Sequence, residues 1–332
     1  MNLTIIIPTK NRNFLLEKNL SYYSKQFFKG NIIIADSSDH EQLEENTKTV
    51  QSFKNINITH KYIFGVYMDV LSKVMPMVKT KYVVCSGDDD YFVIEGLSES
   101  IDFLEKKNDF IAVHGLGVLL RMDEKNHNKI LHSVPYHIPA YLNNTAKERL
   151  KNFSSNKGVL NFSVHRSDVF KKVCVGKLDS FEKEHDLDEY LNSMLSVVYG
   201  KIGQTSRISI VRTFVPSAKT YVVPISGFLN SKNYKKNFDF FSNELSKALS
   251  KVDNISFETS KKIIFSKYNK LKVFKHTRLN NLLSSLNNFF RRIKNKVIYR
   301  NNFKLKNLLS KRSKFHKDFF PIFQLITEYR KK

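Results

Sequence analysis

The chain has 332 residues, 41% hydrophobic and 26% charged, with a formal net charge of +24. The apolar share is enough for a substantial core, and the length points to one large domain with an appendage, or to two domains. No apolar run approaches a bilayer-spanning length, and the run at residues 3–7 is too short for a secretory signal.

Strand and helix patterns alternate from the start. Residues 3–7 read as a buried strand, followed by an amphipathic helix through Leu15, Leu16, Leu20, Tyr23 and Phe27. Gly30 punctuates, and a strand over 31–35 ends at Asp36, Ser37, Ser38 and Asp39. A polar helix over 41–53, a short strand over 58–63 and a helix over 67–78 come next. The strand 81–85 then runs into Asp88, Asp89 and Asp90. Beyond them lie a helix over 93–107, a strand over 110–120 and a loop-rich segment over 123–141 carrying His127, His132 and His137. A strand over 159–164 leads to a helix from Ser167. The acidic stretch 182–189 opens a helix that Gly200 closes, and strands over 202–204 and 208–214 follow. Near-continuous β-branched runs separated by helices predict a mostly parallel sheet covered on both faces. Ligands bind outside the carboxyl ends of such strands. The polar residues at 9–12, 36–39 and 88–90 all fall at that edge.

Three adjacent carboxylates at the end of a core strand repel one another and are costly to desolvate, so a cation or hydrogen-bond donors must compensate them. Oxygen-only ligands favour Mg²⁺ or Mn²⁺, with water or a substrate diphosphate completing the shell. The plain alternative is a solvated acidic turn. No GxxxxGK[ST] is present, which excludes a P-loop, and Gly115 and Gly117 lack the third glycine of a dinucleotide fingerprint. No glycine follows the first strand, so a nucleotide there would be held by side chains and a metal rather than by a glycine nest. Cys85 and Cys174 lack metal-ligand spacing and form no disulfide framework, so a reducing cytoplasm is the expected compartment.

Residues 4–12 (Thr-Ile-Ile-Ile-Pro-Thr-Lys-Asn-Arg), the strand end Ile34-Ala35-Asp36-Ser37-Ser38 and the run from Ser86 through Gly87 and the three aspartates to Tyr91 and Phe92 together resemble a family-2-type glycosyltransferase. A fourth, weaker element is the acidic pair Asp188-Glu189 before the helix that ends at Gly200. The resemblance implies a GT-A-like, Rossmann-type α/β fold with a mostly parallel sheet flanked by helices. The commoner motif is Asp-x-Asp-Asp, and Gly87 stands where its first Asp would be, which leaves open which two of the three acids hold a metal.

The resemblance also implies a nucleoside-diphosphate-sugar donor, a UDP-sugar foremost, with Mn²⁺ or Mg²⁺ bridging its diphosphate from Asp89 and Asp90. Asp88 would contact the metal or the ribose. Pro8, Thr9 and Arg12 would line the nucleotide pocket, Arg12 being able to grip a phosphate with two N–H groups. Asp36, with Ser37 beside it, matches the position that accepts a hydrogen bond from the base ring. Asp188 or Glu189 would be the general base of a direct, inverting displacement, and His185 would reach the metal or the acceptor. Each role has a structural alternative: Arg12 pairing with an exposed acid, Asp36 capping the next helix, or two acids favoured at a helix start.

The charge is uneven, because residues 251–332 hold 22 Lys and Arg against four acids. The expected division is therefore a catalytic unit over 1–225 and a basic, mainly helical region over 226–332. Leu279, Leu282, Leu283, Leu286, Phe289, Phe290, Ile293 and Val297 form a helical stripe, with Arg278, Arg291, Arg292, Lys294 and Lys296 opposite. A second apolar cluster over 315–325 is interrupted by Pro321. Such a tail suits an anionic membrane surface at the inner face of the cell, packing on the catalytic unit or a second subunit, or nucleic acid, for which no recognised motif is present. The expected acceptor is a glycan or lipid-linked glycan, and the Lys/Asn-rich composition suits bacterial capsule or lipopolysaccharide assembly. Two other readings compete: a nucleotidyltransferase, which lacks its glycine-rich loop here, and a non-catalytic membrane- or nucleic-acid-binding protein, which explains only the tail.

Overall fold

Strand β1 (Leu3–Thr9) is buried almost throughout, with Ile5, Ile6 and Ile7 at zero exposure. Successive strand residues point to opposite faces, so buried neighbours mean that both sides of the sheet are covered. β2 (Asn31–Asp36) and β4 (Tyr82–Cys85) flank β1 in parallel, and β3 (Asn57–Tyr62) extends the block beyond β2. The computed structural model describes residues 1–65, 67–174, 185–214, 234–268 and 302–329.

The second half of the sheet is mixed. It contains β5 (Asp90–Phe92), β6 (Phe110–Met122), β7 (Ile130–Tyr136), β8 (Val164–Arg166) and β9 (Lys201–Phe214). β6 and β9 run parallel, while β5, β7 and β8 are antiparallel to their neighbours. The order is β3-β2-β1-β4-β8-β6-β9-β5, with β7 on β6. The helices of the first half are α1 (Asn13–Lys25), α2 (His40–Ser52), α3 (Tyr67–Val74) and α4 (Ile94–Lys106). They are followed by α5 (Ala146–Ser155), α6 (Ser167–Val173), α7 (His185–Tyr199), α8 (Tyr234–Asp253), α9 (Phe257–Tyr268), α10 (Leu305–Leu308) and α11 (His316–Glu328). α3 packs on β1 and β2, whereas α4 and α7 pack on β6 and β9.

Several elements differ from the sequence expectations. The helix expected over 67–78 stops at Val74, because Pro76 lies in the next turn, which becomes a 3₁₀ segment (Met75–Met77). The segment expected to be loop-rich contains β7, whose hairpin turn is closed by the Asp123 carboxylate accepting from the Lys125 and Asn126 amides. The expected strand over 159–164 is a 3₁₀ turn (Leu160–Phe162) followed by β8. The two strands expected over 202–214 are one, β9, with shifts of register against β6. Helix α5 was not expected, although Ala146, Leu150 and Phe153 bury one face of it at helical spacing. Its amino end is satisfied by Thr145 and by the distant Asp253 carboxylate, which accepts from the Ala146 and Lys147 amides. Pro321 sits inside α11 without ending it, while Phe319, Ile322 and Ile326 bury the inner face of that helix.

The end of the chain returns to its beginning. On α1, the Lys18 ammonium donates to the Ile326 carbonyl at 3.2 Å and to Asn128 at 3.0 Å. Asn128 in turn donates to the Tyr329 carbonyl, and the Ser133 hydroxyl donates to the Phe303 carbonyl. Arg207 on β9 meets the buried Asp318 at 2.6 Å. Among the described residues no helix is long and apolar enough to cross a membrane. The basic stripe over 279–297 lies outside the described residues.

Candidate functional site

Three strand ends meet at the carboxyl edge of the parallel block. β1 ends at Thr9, and α1 starts after Arg12, whose carbonyl accepts from the Leu15 and Leu16 amides. Between them Asn11 sits at φ 55, a left-handed conformation that Asn tolerates better than most residues. Its amide donates to Ser38 Oγ at 2.8 Å, and its side chain both donates to Asp39 and accepts from the Asp39 amide. The loops after β1 and β2 are thereby clamped together. Pro8 is half-buried on β1 opposite Ala35.

Asp36 closes β2 and is fully buried. Its Oδ1 accepts from the Ser38 amide at 2.9 Å, while Oδ2 accepts from Asn46 at 2.8 Å and lies 2.9 Å from His60 Nε2. Burial alone would raise the carboxyl pKa, but the hydrogen bonds from His60, Ser38 and Asn46 outweigh it and hold Asp36 below the ordinary value. Ser37 donates its amide to the Thr9 carbonyl and its hydroxyl to the Ile63 carbonyl. The position at which the resemblance implies contact with a base ring thus holds a carboxylate that Ser38, Asn46 and His60 surround. Tyr62 and Phe64 stand exposed at the end of the neighbouring strand.

The acidic turn follows β4. The Ser86 amide donates to the Ile6 carbonyl at 2.9 Å, and the Asp90 amide closes the turn on the Gly87 carbonyl. A Cβ on Gly87 would lie 2.8 Å from Asp89 Oδ1 and 3.1 Å from Asp90 Oδ2, so a side chain where the commoner motif carries an acid would require the Asp89 carboxylate to shift. Asp90 opens β5 and pairs in register with Arg212 of β9.

The structure brings Asp88, Asp89 and Asp90 together with Thr9 and Arg12. Asp88 is 2% exposed; its Oδ2 accepts from the Thr9 hydroxyl at 2.8 Å, and its Oδ1 lies 2.9 Å from Arg12, whose other prong meets Asp89 Oδ2 at 2.7 Å. Asp90, 1% exposed, is held through Oδ2 by Arg212 Nε at 3.0 Å. The Thr213 hydroxyl and the Asn19 amide donate to the backbone carbonyls of Asp89 and Asp90. Burial pushes the Asp88 and Asp90 carboxyls up, Arg12 and Arg212 pull them down, and the adjacent Asp89 charge pushes up again; the balance is upward.

Sequence reasoning missed Arg212. Its guanidinium lies 4.2 Å from the Phe162 ring centre and 4.9 Å from that of Tyr136, filling the corner between rings that stand at 80° to one another. The available signal was a cation on the strand face that Ile210 shares, where a buried apolar side chain is the expectation. His60 and Asn46 were also missed, as polar residues on an edge strand and a polar helix.

Glu189 is half-buried on α7. Burial raises the Tyr136 hydroxyl pKa, Arg212 opposes this, and the Glu189 carboxylate reinforces it. His185 and Asp188 lie at the start of α7, at positions whose side chains are outside the described residues.

The oxygens suit a hard divalent cation. Asp90 Oδ1 is buried without a hydrogen-bond partner, and Asp89 Oδ1 and the Asp90 carboxylate border the space that a Cβ on Gly87 would fill. Both Asp88 oxygens are engaged by Thr9 and Arg12. Among the described residues no group of three His, Cys, Asp or Glu side chains is placed to enclose an ion, so further ligands would come from a diphosphate and water.

The strand order and flanking helices have a counterpart among solved structures. The chain shares its fold with S. aureus TarS. The structure of TarS 1–349 in complex with UDP-GlcNAc matches 84% of this chain and 74% of that one, with a TM-score of 0.51 at 15% identity. The TarS 1–349 complex with UDP matches over the same shares, with a TM-score of 0.50 at 14% identity. No protein-family model matches the chain, and no curated protein matches it in sequence.

Proposed function

We propose that this chain is a metal-dependent, inverting glycosyltransferase of the family-2 type. It would move a sugar from a UDP-sugar to a hydroxyl of a glycan or lipid-linked acceptor in bacterial surface-polysaccharide assembly. The observation that carries the reading is the acidic turn. Its three carboxylates stand beside Thr9 and Arg12 at the carboxyl edge of a sheet whose fold, in TarS, holds UDP and UDP-GlcNAc.

Each residue then has a task. Pro8, Ser37 and the loop organised by Asp36 form the nucleoside side. Arg12 is 41% exposed, so it can turn from Asp88 and Asp89 to a phosphate oxygen. Asp89 and Asp90 would hold Mn²⁺ or Mg²⁺, with Asp88, fixed by Thr9, serving the ribose or the ion. Such a cation, when bound, would supply positive charge against the departing diphosphate. On the acceptor side Glu189 or Asp188 takes the hydroxyl proton as that oxygen attacks the anomeric carbon. The bond from that carbon to the diphosphate oxygen breaks, and the configuration inverts.

We divide the chain into a catalytic unit (1–225) and a basic helical region (226–332), and assign the stripe over 279–297 to an anionic membrane surface. Salt-sensitive co-sedimentation with anionic vesicles tests that assignment. For the activity, UDP and Mn²⁺ together should raise the melting temperature by about 2–4 °C, and Asp90→Ala should abolish the shift. Incubation with UDP-sugars should release UDP. Release of pyrophosphate, or no shift in the native protein, overturns the reading.

A further inference from the structure

Arg12 and Arg212 both neutralise the acidic turn, but they are held very differently. Among the described residues Arg12 is anchored by the carboxylates it binds, and its side chain is 41% exposed. Arg212 is fixed independently of Asp90: it is part of β9, it is 28% exposed, and the Phe162 and Tyr136 rings hold its guanidinium at 4.2 and 4.9 Å. Asp90 contributes one oxygen to this pair, and the other, Oδ1, is buried without a hydrogen-bond partner among the described residues. Were Asp90 to engage a divalent cation, Arg212 would remain where it is, a desolvated cation beside the turn that has lost its counter-charge.

We infer that Arg212 is a positioning residue that exchanges partners. In the donor-free protein it is the resident counter-ion of Asp90, competing with a divalent cation for that carboxylate. When a nucleoside diphosphate arrives, its phosphate oxygens become the new partner of Arg212, and Asp90 is released to the cation. This inference rests on the proposed cation site at Asp89 and Asp90. Cation and diphosphate binding are then coupled through one side chain, and each must strengthen the other by the same factor. No covalent bond changes; the exchange is of ion pairs alone. The rings explain why an arginine serves here. A lysine would offer a point charge without the flat group that packs in the corner between them.

The test is a titration of Mn²⁺, followed by the paramagnetic signal of the free ion, into the native protein, Arg212→Gln and Arg212→Lys, each with and without UDP. Removing a competing charge next to the turn should make Arg212→Gln bind Mn²⁺ alone about 5–10-fold more tightly than the native protein. The factor by which UDP raises Mn²⁺ affinity should shrink at least about threefold in the same variant. Arg212→Lys keeps the charge, and should stay within about threefold of the native affinity for Mn²⁺ alone. A purely structural arginine predicts the opposite for Arg212→Gln, namely weaker Mn²⁺ binding from a disordered turn, and that result overturns the exchange. Unchanged Mn²⁺ affinity with intact coupling to UDP overturns it as well. If Arg212→Gln does not fold, Arg212→Lys decides: full coupling to UDP with tighter Mn²⁺ binding alone sinks the exchange. If no protein takes up Mn²⁺ even with UDP present, both the exchange and the cation site beneath it are wrong.

Discussion

The two sides of the site are built by different means. At the ends of β1 and β2 the loops are held by hydrogen bonds from the same loops and the elements beside them: Asn11 bridges to Ser38 and Asp39, while Ser38, Asn46 and His60 enclose Asp36. At the acidic turn the carboxylates are held by charged groups, and Asp90 depends on a β9 arginine 122 residues away that is packed against Phe162 and Tyr136. A neighbourhood of donors lowers the pKa of the acid it surrounds, as at Asp36, while burial among like charges raises it, as at Asp88 and Asp90. The first side is a rigid support. The second stores unbalanced charge that a ligand can relieve.

The largest expected effect falls on the side assembled over long range. Phe162→Ala removes a buried ring from both the core and Arg212, and should cost about 3–4 kcal/mol in urea unfolding. Phe162→Leu, which keeps most of the apolar volume, should cost only about 1 kcal/mol. No loss in Phe162→Leu would show that the ring face contributes nothing to holding Arg212. On the other side, Asp36→Ala leaves the Asn46 and Ser38 donors buried and unpaired, and should cost about 2–3 kcal/mol. Thr9→Ala joins the two sides, since it strips one donor from Asp88; about 1 kcal/mol is expected.

A smaller effect sharpens the contrast through pH. The folded-state pKa of Asp36 is held below its unfolded value. Its contribution is therefore fully present above the ordinary carboxyl range and fades as pH falls through the lowered value. Asp36→Asn should flatten that part of the acid limb of stability against pH. An acid limb unchanged in Asp36→Asn would mean that its hydrogen bonds do not favour the ionised form.

Much of the first side was legible from the sequence, because strand ends and their polar loops are local. The run of isoleucines placed β1, and Asp36 and the Asp triplet fell at strand ends as periodicity required. What was not legible is what sits opposite. Arg212, Phe162 and Tyr136 come from β9, a 3₁₀ turn and a hairpin strand, and only the folded sheet brings them to Asp90. The hairpin strand was hidden because Ser133 and Pro135 break its alternation. Gly87 could be read only as a departure from a motif until the crowding of Asp89 and Asp90 around it was visible.

The return of residues 303–329 onto α1 and β9 has a consequence for biosynthesis. Lys18, Asn128, Ser133 and Arg207 acquire partners that are synthesised between 111 and 308 residues after them. A nascent chain lacking that stretch carries an uncovered flank on its first helix, and loop closure across most of the polypeptide must precede the final docking. Emergence of residues 303–329, rather than of the β1–β4 block, therefore marks the moment at which this flank can be covered.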